Sequence, residues 1–183
     1  MASDNPSGAD NQQETAGSMD QLDPMWIAGL VDGEGCFSFS APVHRNLFMH
    51  RHRGWQLQTA FQVYQHRDRL KVLDDLRTCF GCGGIASKGP KSSVMTYSVT
   101  ARRHLEEVIL PFFEDHPIQV KTADFTAFAW IVRAMGRREH LTEAGFEGIV
   151  RLSYTMNLHG KQWARSIDEV LAGSSETARQ AVS

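Results

Sequence analysis

The sequence predicts an α+β fold of order αββαββα, with an antiparallel sheet and helices on one of its faces. Two pairs of segments alternate between polar and apolar residues, and each pair is flanked by stretches whose apolar residues recur every three to four positions. The partners of each pair are near neighbours in the chain, as antiparallel hairpins require. Strands and helices do not alternate one by one, so a doubly wound parallel sheet is not expected. With 183 residues, 42% of them hydrophobic, the chain can bury one proper core and is short for two ordinary domains.

Residues 1–22 read as a disordered N-terminal tail, 23–160 as the folded domain, and 161–183 as a C-terminal tail carrying a short helix. The first of these is rich in Ser, Asn, Gln, Asp and Gly, and too poor in large apolar side chains to offset the entropy of ordering. Asp23 followed by Pro24 supplies an N-cap and a proline at the first helical position, so a helix starts near residue 24 and ends in Gly33 and Gly35. Cys36 to Ser40 alternates as a strand, with Ser38 and Ser40 on its polar side. From Trp55, "WQLQTAFQVY" sets Trp55, Leu57, Thr59, Phe61 and Val63 on one face and Gln56, Gln58, Ala60, Gln62 and Tyr64 on the other. One side packs; the other presents amides.

"RLKVLDDLRTCF" returns to helical spacing through Leu70, Leu73 and Leu76. A second hairpin follows in "GGIASKG" and "VMTYSVT", then a helix from about Arg102 to Leu110, which Pro111 is expected to stop. After Pro117, "TADFTAFAWIVRAM" is an amphipathic helix. Thr142 caps another, with Leu141 and Phe146 at the two positions of a hydrophobic staple. "SIDEVLAG" is a short helix closed by Gly173.

No apolar run reaches the roughly 18–20 residues that span a bilayer, and no basic region precedes an apolar one at the N-terminus; a soluble, unexported protein with no membrane partner is expected. Three cysteines, Cys36, Cys79 and Cys82, make an odd number that suits a reducing compartment. Cys79 and Cys82 form a C-x-x-C without a second pair, which is too little for zinc. "GIASKGPKS" fails as a phosphate-binding loop because Pro90 breaks the spacing and removes a donor. The arginine-rich, lysine-poor usage suggests a bacterial cytoplasm, with organellar encoding left open.

The net charge of −2 hides a division along the chain. Residues 1–24 carry five acids and no Lys or Arg, whereas residues 41–103 carry eleven Lys or Arg against three acids. That segment suits a phosphate backbone.

The join between the first helix and first strand, "WIAGLVDGEGCFSFS" (Trp26 to Ser40), places Asp32 and Glu34 at a helix C-terminus. The helix dipole disfavours an acid there by about 0.3–1 kcal/mol, so something else must want the charge. Glycine inside a helix costs about 1 kcal/mol relative to alanine. Ala28, Gly29, Asp32 and Gly33 are therefore read as small residues that admit a second helix at close range.

Within that join, "IAGLVDGEG" (Ile27 to Gly35) resembles the motif that names the LAGLIDADG homing endonucleases. "AFQVYQ", "LPFFEDHPIQVKTADFTAF" and "EHLTEAGFEGIVRLSYTMN" are similar to that family's later segments and occur in the same order, over about residues 24–160. The resemblance implies the LAGLIDADG fold, whose curved antiparallel sheet lies along the DNA major groove. It implies that Glu34 binds the catalytic divalent metal with help from the Gly33 carbonyl, and that Asp32 has a structural role near the helix end. Gln65, Arg69 and Lys121 resemble the family's ancillary catalytic residues around the attacking water and scissile phosphate.

Mg²⁺ is the implied cofactor, with Mn²⁺ or Ca²⁺ also able to occupy the site; such hard cations take carboxylate and water oxygens. One motif per chain implies a homodimer, joined through Trp26, Ala28, Gly29 and Asp32. The implied reaction is a double-strand break in a pseudo-palindromic DNA target, leaving short 3′ overhangs. On the polar sheet face Gln56, Gln58 and Gln62 would meet base edges, where glutamine pairs with adenine N6 and N7, with Ser38, Ser40, His44 and Lys88 as companions. Arg45, Arg51, Arg53 and Lys91 would hold phosphates. Two alternatives share the fold: an RNA-binding intron maturase, and a DNA-binding module without cleavage.

Overall fold

The computed structural model describes residues 22–41, 57–157 and 166–172. Helix α1 (Pro24–Glu34) begins where Asp23 caps it, its carboxylate accepting from the Met25 N–H at 2.7 Å. The chain passes directly into strand β1 (Gly35–Ser40). Gly35 is obligatory at this corner: a Cβ there would lie 2.6 Å from Val31 Cγ1 and 2.7 Å from the Val31 carbonyl oxygen.

Strand β2 (Gln58–His66) runs two residues beyond the alternation of the sequence at its C-terminal end, and Leu57 stands just before it. A short 3₁₀ turn, Arg67–Arg69, leads into α2 (Leu70–Phe80), whose Leu73, Leu76 and Phe80 are buried. Strands β3 (Gly84–Ser87) and β4 (Val94–Val99) form the second hairpin. All four strands join one antiparallel sheet in the order β1-β2-β4-β3, with Phe61 opposite both Phe37 and Val99.

Beyond β4, Pro111 does not stop the helix. Helix α3 (Arg102–His104) continues through a π turn, Leu105–Ile109, into α4 (Leu110–Asp115). In the π turn the Leu110 N–H bonds back to Leu105, five residues earlier. The widened turn relieves the ring's usual clash with the carbonyl four residues back, and proline stands in the first turn of α4, where a missing N–H costs least. Helix α5 (Thr122–Gly136) and helix α6 (Glu143–Ser153) follow; Thr142 Oγ1 accepts from the Gly145 N–H and caps α6. Phe146 is buried while Leu141 stays half exposed, so the staple covers one of its two members. A last helical turn spans 167–172 and buries Val170 against Phe146 and Val150.

One sheet face and the helices enclose the core. Phe37, fully buried, sits with its ring 5.3–5.6 Å from those of Phe61, Phe113, Phe125 and Phe128. This aromatic cluster joins β1 and β2 to α4 and α5. Tyr97 is buried on β4 and donates its hydroxyl to the Cys82 carbonyl at 2.9 Å. On the edge strand β1, Asn157 acts as a clamp: its side-chain amide donates to the Phe37 carbonyl at 2.9 Å, and its backbone N–H donates to Asp124 at 2.8 Å. Among the described residues no helix is long and apolar enough to cross a membrane.

Candidate nuclease centre and nucleic-acid interface

The end of α1 meets the start of α5, and each helix caps the other. Asp32 accepts three backbone N–H bonds, from Gln119 at 2.7 Å, Val120 at 3.1 Å and Lys121 at 3.0 Å. In return, Lys121 Nζ donates to the carbonyls of Val31 at 3.0 Å, Asp32 at 2.7 Å and Gly33 at 3.3 Å. Helix ends leave such donors and acceptors unsatisfied and carry partial charges of the matching sign. Partial burial pushes the Asp32 carboxyl upward, but the N–H donors and the Lys121 ammonium outweigh it and hold the carboxyl below its ordinary range. One of the two acids at the join is thus fully used inside the chain.

Glu34 is the other. It is the last residue of α1, exposed, and has no hydrogen bond or ion pair with any described residue. Register puts Gly35 opposite Val63, so Glu34 and Gln65 lie just beyond that pair at one end of the sheet. Gln65 continues the buried face of β2 after Thr59, Phe61 and Val63 and is 9% exposed. Arg69 is exposed where α2 begins. Lys121 is held at the helix end beside Gly33. Among the described residues no three His, Cys, Asp or Glu gather as a complete metal cage. A free carboxylate beside a main-chain carbonyl is an all-oxygen donor pair, which fits a hard divalent cation completed by water and phosphate.

The outer face of α1 is open. A Cβ at Gly29 or Gly33 would meet nothing within 4 Å, and Trp26 and Met25 are 46% and 58% exposed. Of the four residues expected at a contact between copies, Trp26 and Gly29 lie on this face. Ala28 is instead buried in the chain's own core, and Asp32 is bound to the N-terminus of α5. The 3.6-residue spacing turns Ala28 inward, one helical step from Gly29.

The sheet's polar face carries Ser38, Ser40, Gln58 and Gln62, which line a hollow with Thr100 and Arg102. Lys88 and Lys91 are exposed in the β3–β4 turn. Lys88 Nζ stands 4.6 Å from the centre of the Tyr64 ring. His44, Arg45, Arg51, Arg53 and Gln56 lie outside the described residues, as does Trp55. Two residues of this face were not singled out from the sequence. Tyr64 donates to Gln62 Oε1 at 2.9 Å, and its place two positions along the same strand face was the available signal. Arg102, which donates to the Met135 carbonyl at 3.3 Å, had no such signal.

Residues 27–132 match the family described as LAGLIDADG endonuclease. The chain is 32% identical over 139 residues to a probable intron-encoded endonuclease 3 of Neurospora crassa, covering 75% of this chain and 25% of that protein. Among solved structures it resembles the homing endonuclease I-TnaI, with a TM-score of 0.70 and 30% identity over 86% of this chain and 99% of that one. It also resembles the LAGLIDADG homing endonuclease I-SmaMI bound to cleaved DNA, with a TM-score of 0.72 and 28% identity over 83% of this chain and 48% of that one. The chain belongs to the LAGLIDADG endonuclease family.

The chain spans about a quarter of the length of the first fungal relatives it matches. Those relatives correct one expectation. Arginine-rich composition suggested a bacterial cytoplasm, but proteins named for introns in Neurospora crassa, Podospora anserina and Schizosaccharomyces pombe point to an organellar rather than a bacterial setting. Residue usage reports genome composition, which differs among organelles as it does among bacteria.

Proposed function

We propose that two copies of this chain form a divalent-metal-dependent DNA endonuclease that breaks both strands of a pseudo-palindromic target, leaving short 3′ overhangs. The observation that carries this reading is Glu34, a carboxylate without a partner among the described residues, at the end of a helix whose Gly29–Gly33 face is open to a second helix. Packing that face on its two-fold mate brings two Glu34 side chains together, one for each strand. The alignments support the pairing: this chain matches the whole of one relative's chain and about half of another's. In this reading residues 23–160 are the working domain and 1–22 and 161–183 its tails.

Glu34 and the Gly33 carbonyl would hold the cation, which we take to be Mg²⁺; a calcium-containing complex of I-SmaMI with uncleaved DNA shows that a divalent ion is compatible with the relative's fold. Bound there, it would stabilise the attacking and leaving oxygens of an in-line displacement at phosphorus. The chain's own residues do the rest. Lys121 holds the last carbonyls of α1 in place and keeps a positive charge beside Gly33. Asp32 anchors α5 to the same helix end and so fixes where Glu34 projects. Gln65 supplies an amide with no hydrogen-bond partner among the described residues, and Arg69 an exposed guanidinium, near the phosphate. The polar face of β1 and β2 lies along the major groove, with Ser38, Ser40, Gln58 and Gln62 toward the bases and Lys88 and Lys91 beside them.

The decisive experiment is cleavage selection from a randomised duplex library with Mg²⁺. Enriched sites with two-fold symmetry are the expected result; absence of any cleaved sequence defeats the assignment.

A further inference from the structure

Gln62 lies mid-strand in β2, between Cys36 of β1 and Ser98 of β4 in register, with its side chain on the polar face. Its amide is not free to choose its orientation. The carbonyl oxygen Oε1 accepts the Tyr64 hydroxyl at 2.9 Å, while the Ser38 hydroxyl, whose nearer acceptor is the Ala60 carbonyl at 3.2 Å, lies 3.4 Å from the same oxygen. Lys88 Nζ stands 4.6 Å from the centre of the Tyr64 ring. The acceptor end of Gln62 is turned toward Tyr64, and its two N–H donors have no partner among the described residues. An ammonium is likewise donor-only. Gln62 and Lys88, joined through Tyr64, therefore offer a groove the free donors of an amide and an ammonium side by side.

Base edges differ in what they return. In the major groove guanine offers two acceptors, N7 and O6. Adenine offers one acceptor and one donor, cytosine a donor, and thymine one acceptor beside a methyl group. The familiar glutamine–adenine pair uses the amide's donor and its acceptor together, and here the acceptor is turned toward Tyr64. We propose that Gln62, oriented by Tyr64 and accompanied by Lys88, reads guanine rather than adenine. The assignment deepens the DNA-endonuclease reading and rests on it. It also replaces the adenine pairing that the glutamine side chain alone suggests, because that pairing requires Oε1 to face the base.

The test is selection of duplexes from a randomised library by binding to the full chain in Ca²⁺, repeated with Gln62→Ala, Tyr64→Phe and Ser38→Ala. Gln62→Ala marks the contacted position as the one whose preference it flattens. The wild-type chain should prefer guanine there. Tyr64→Phe keeps the ring beneath Lys88 but releases Oε1, so the amide can turn; adenine should gain on guanine at that position by about fivefold or more, with all other positions unchanged. Ser38→Ala, which removes a hydroxyl shared between the Ala60 carbonyl and Gln62 Oε1, should move the same position in the same direction by less. A wild-type preference for any other base there overturns the guanine assignment, as does a Tyr64→Phe profile superposable on the wild type. In both cases the enriched target survives and the endonuclease reading stands. Failure to enrich any sequence defeats that reading itself, and the guanine assignment with it.

Discussion

Asp32 and Lys121 exchange charges across the junction of two helices: the carboxylate closes the N-terminus of α5, while the ammonium closes the C-terminus of α1. An acid in the last turn of a helix is unfavourable in isolation. It is favourable here because it serves the neighbouring helix.

The exchange predicts a pH signature. The folded-state carboxyl of Asp32 is held below its ordinary value of 3.8. Its contribution is therefore complete above that value and is lost as pH falls through the folded-state value. Asp32→Ala should lower stability at pH 7 by about 0.5–2 kcal/mol, as loss of a helix cap does, and the difference from wild type should shrink below about pH 4. Urea denaturation across that range measures both.

The Glu34 carboxylate has no partner among the described residues, so its charge is not expected to support the fold. Glu34→Gln should unfold at the wild-type midpoint, bind target duplex with little change and nick neither strand. Retained cleavage would remove Glu34 from the reaction; a lowered midpoint would show that it has an internal partner after all.

Gly29 has open space where a side chain would go. Gly29→Leu should leave the isolated fold intact, even gaining up to about 1 kcal/mol of helix propensity, while blocking approach of a second α1. Sedimentation should then report a monomer and cleavage should be lost. A variant that still sediments as a dimer places the contact elsewhere.

Gly35 is the opposite case, because its missing Cβ is filled by Val31. Gly35→Ala must push β1 away from α1, at a cost of about 1–3 kcal/mol. Since the displaced corner adjoins Glu34, cleavage at saturating DNA should fall as well. Thermal denaturation and single-turnover rates separate the two effects.

Much of this was legible in the sequence because local pattern and global structure agree. Period-two alternation located β1 and β2, Asp23–Pro24 located the start of α1, and Thr142 located the cap of α6. Pro111 misled because a π turn, which is invisible to residue spacing, rearranges the bonds around it. In the candidate site, the exposed acid at the end of α1 was legible as Glu34, and the placement of its neighbours only half so. Spacing alone could not show that Ala28 points inward, that Lys121 reaches the carbonyls of α1, or that Tyr64 occupies the carbonyl of Gln62. Each of these depends on a contact between elements distant in the chain or on the phase of a helix against its own core.

Asn157 closes the exposed edge of β1 by binding the Phe37 carbonyl from 120 positions further along the chain. During synthesis that edge emerges early and its cover emerges late. At about 5–20 residues per second, the strand waits on the order of ten seconds with a hydrogen-bonding group bare. In that interval it is a template for strand addition by another nascent chain. Yield on expression should therefore respond to translation speed and to Asn157 substitution more sharply than the stability of the finished protein does.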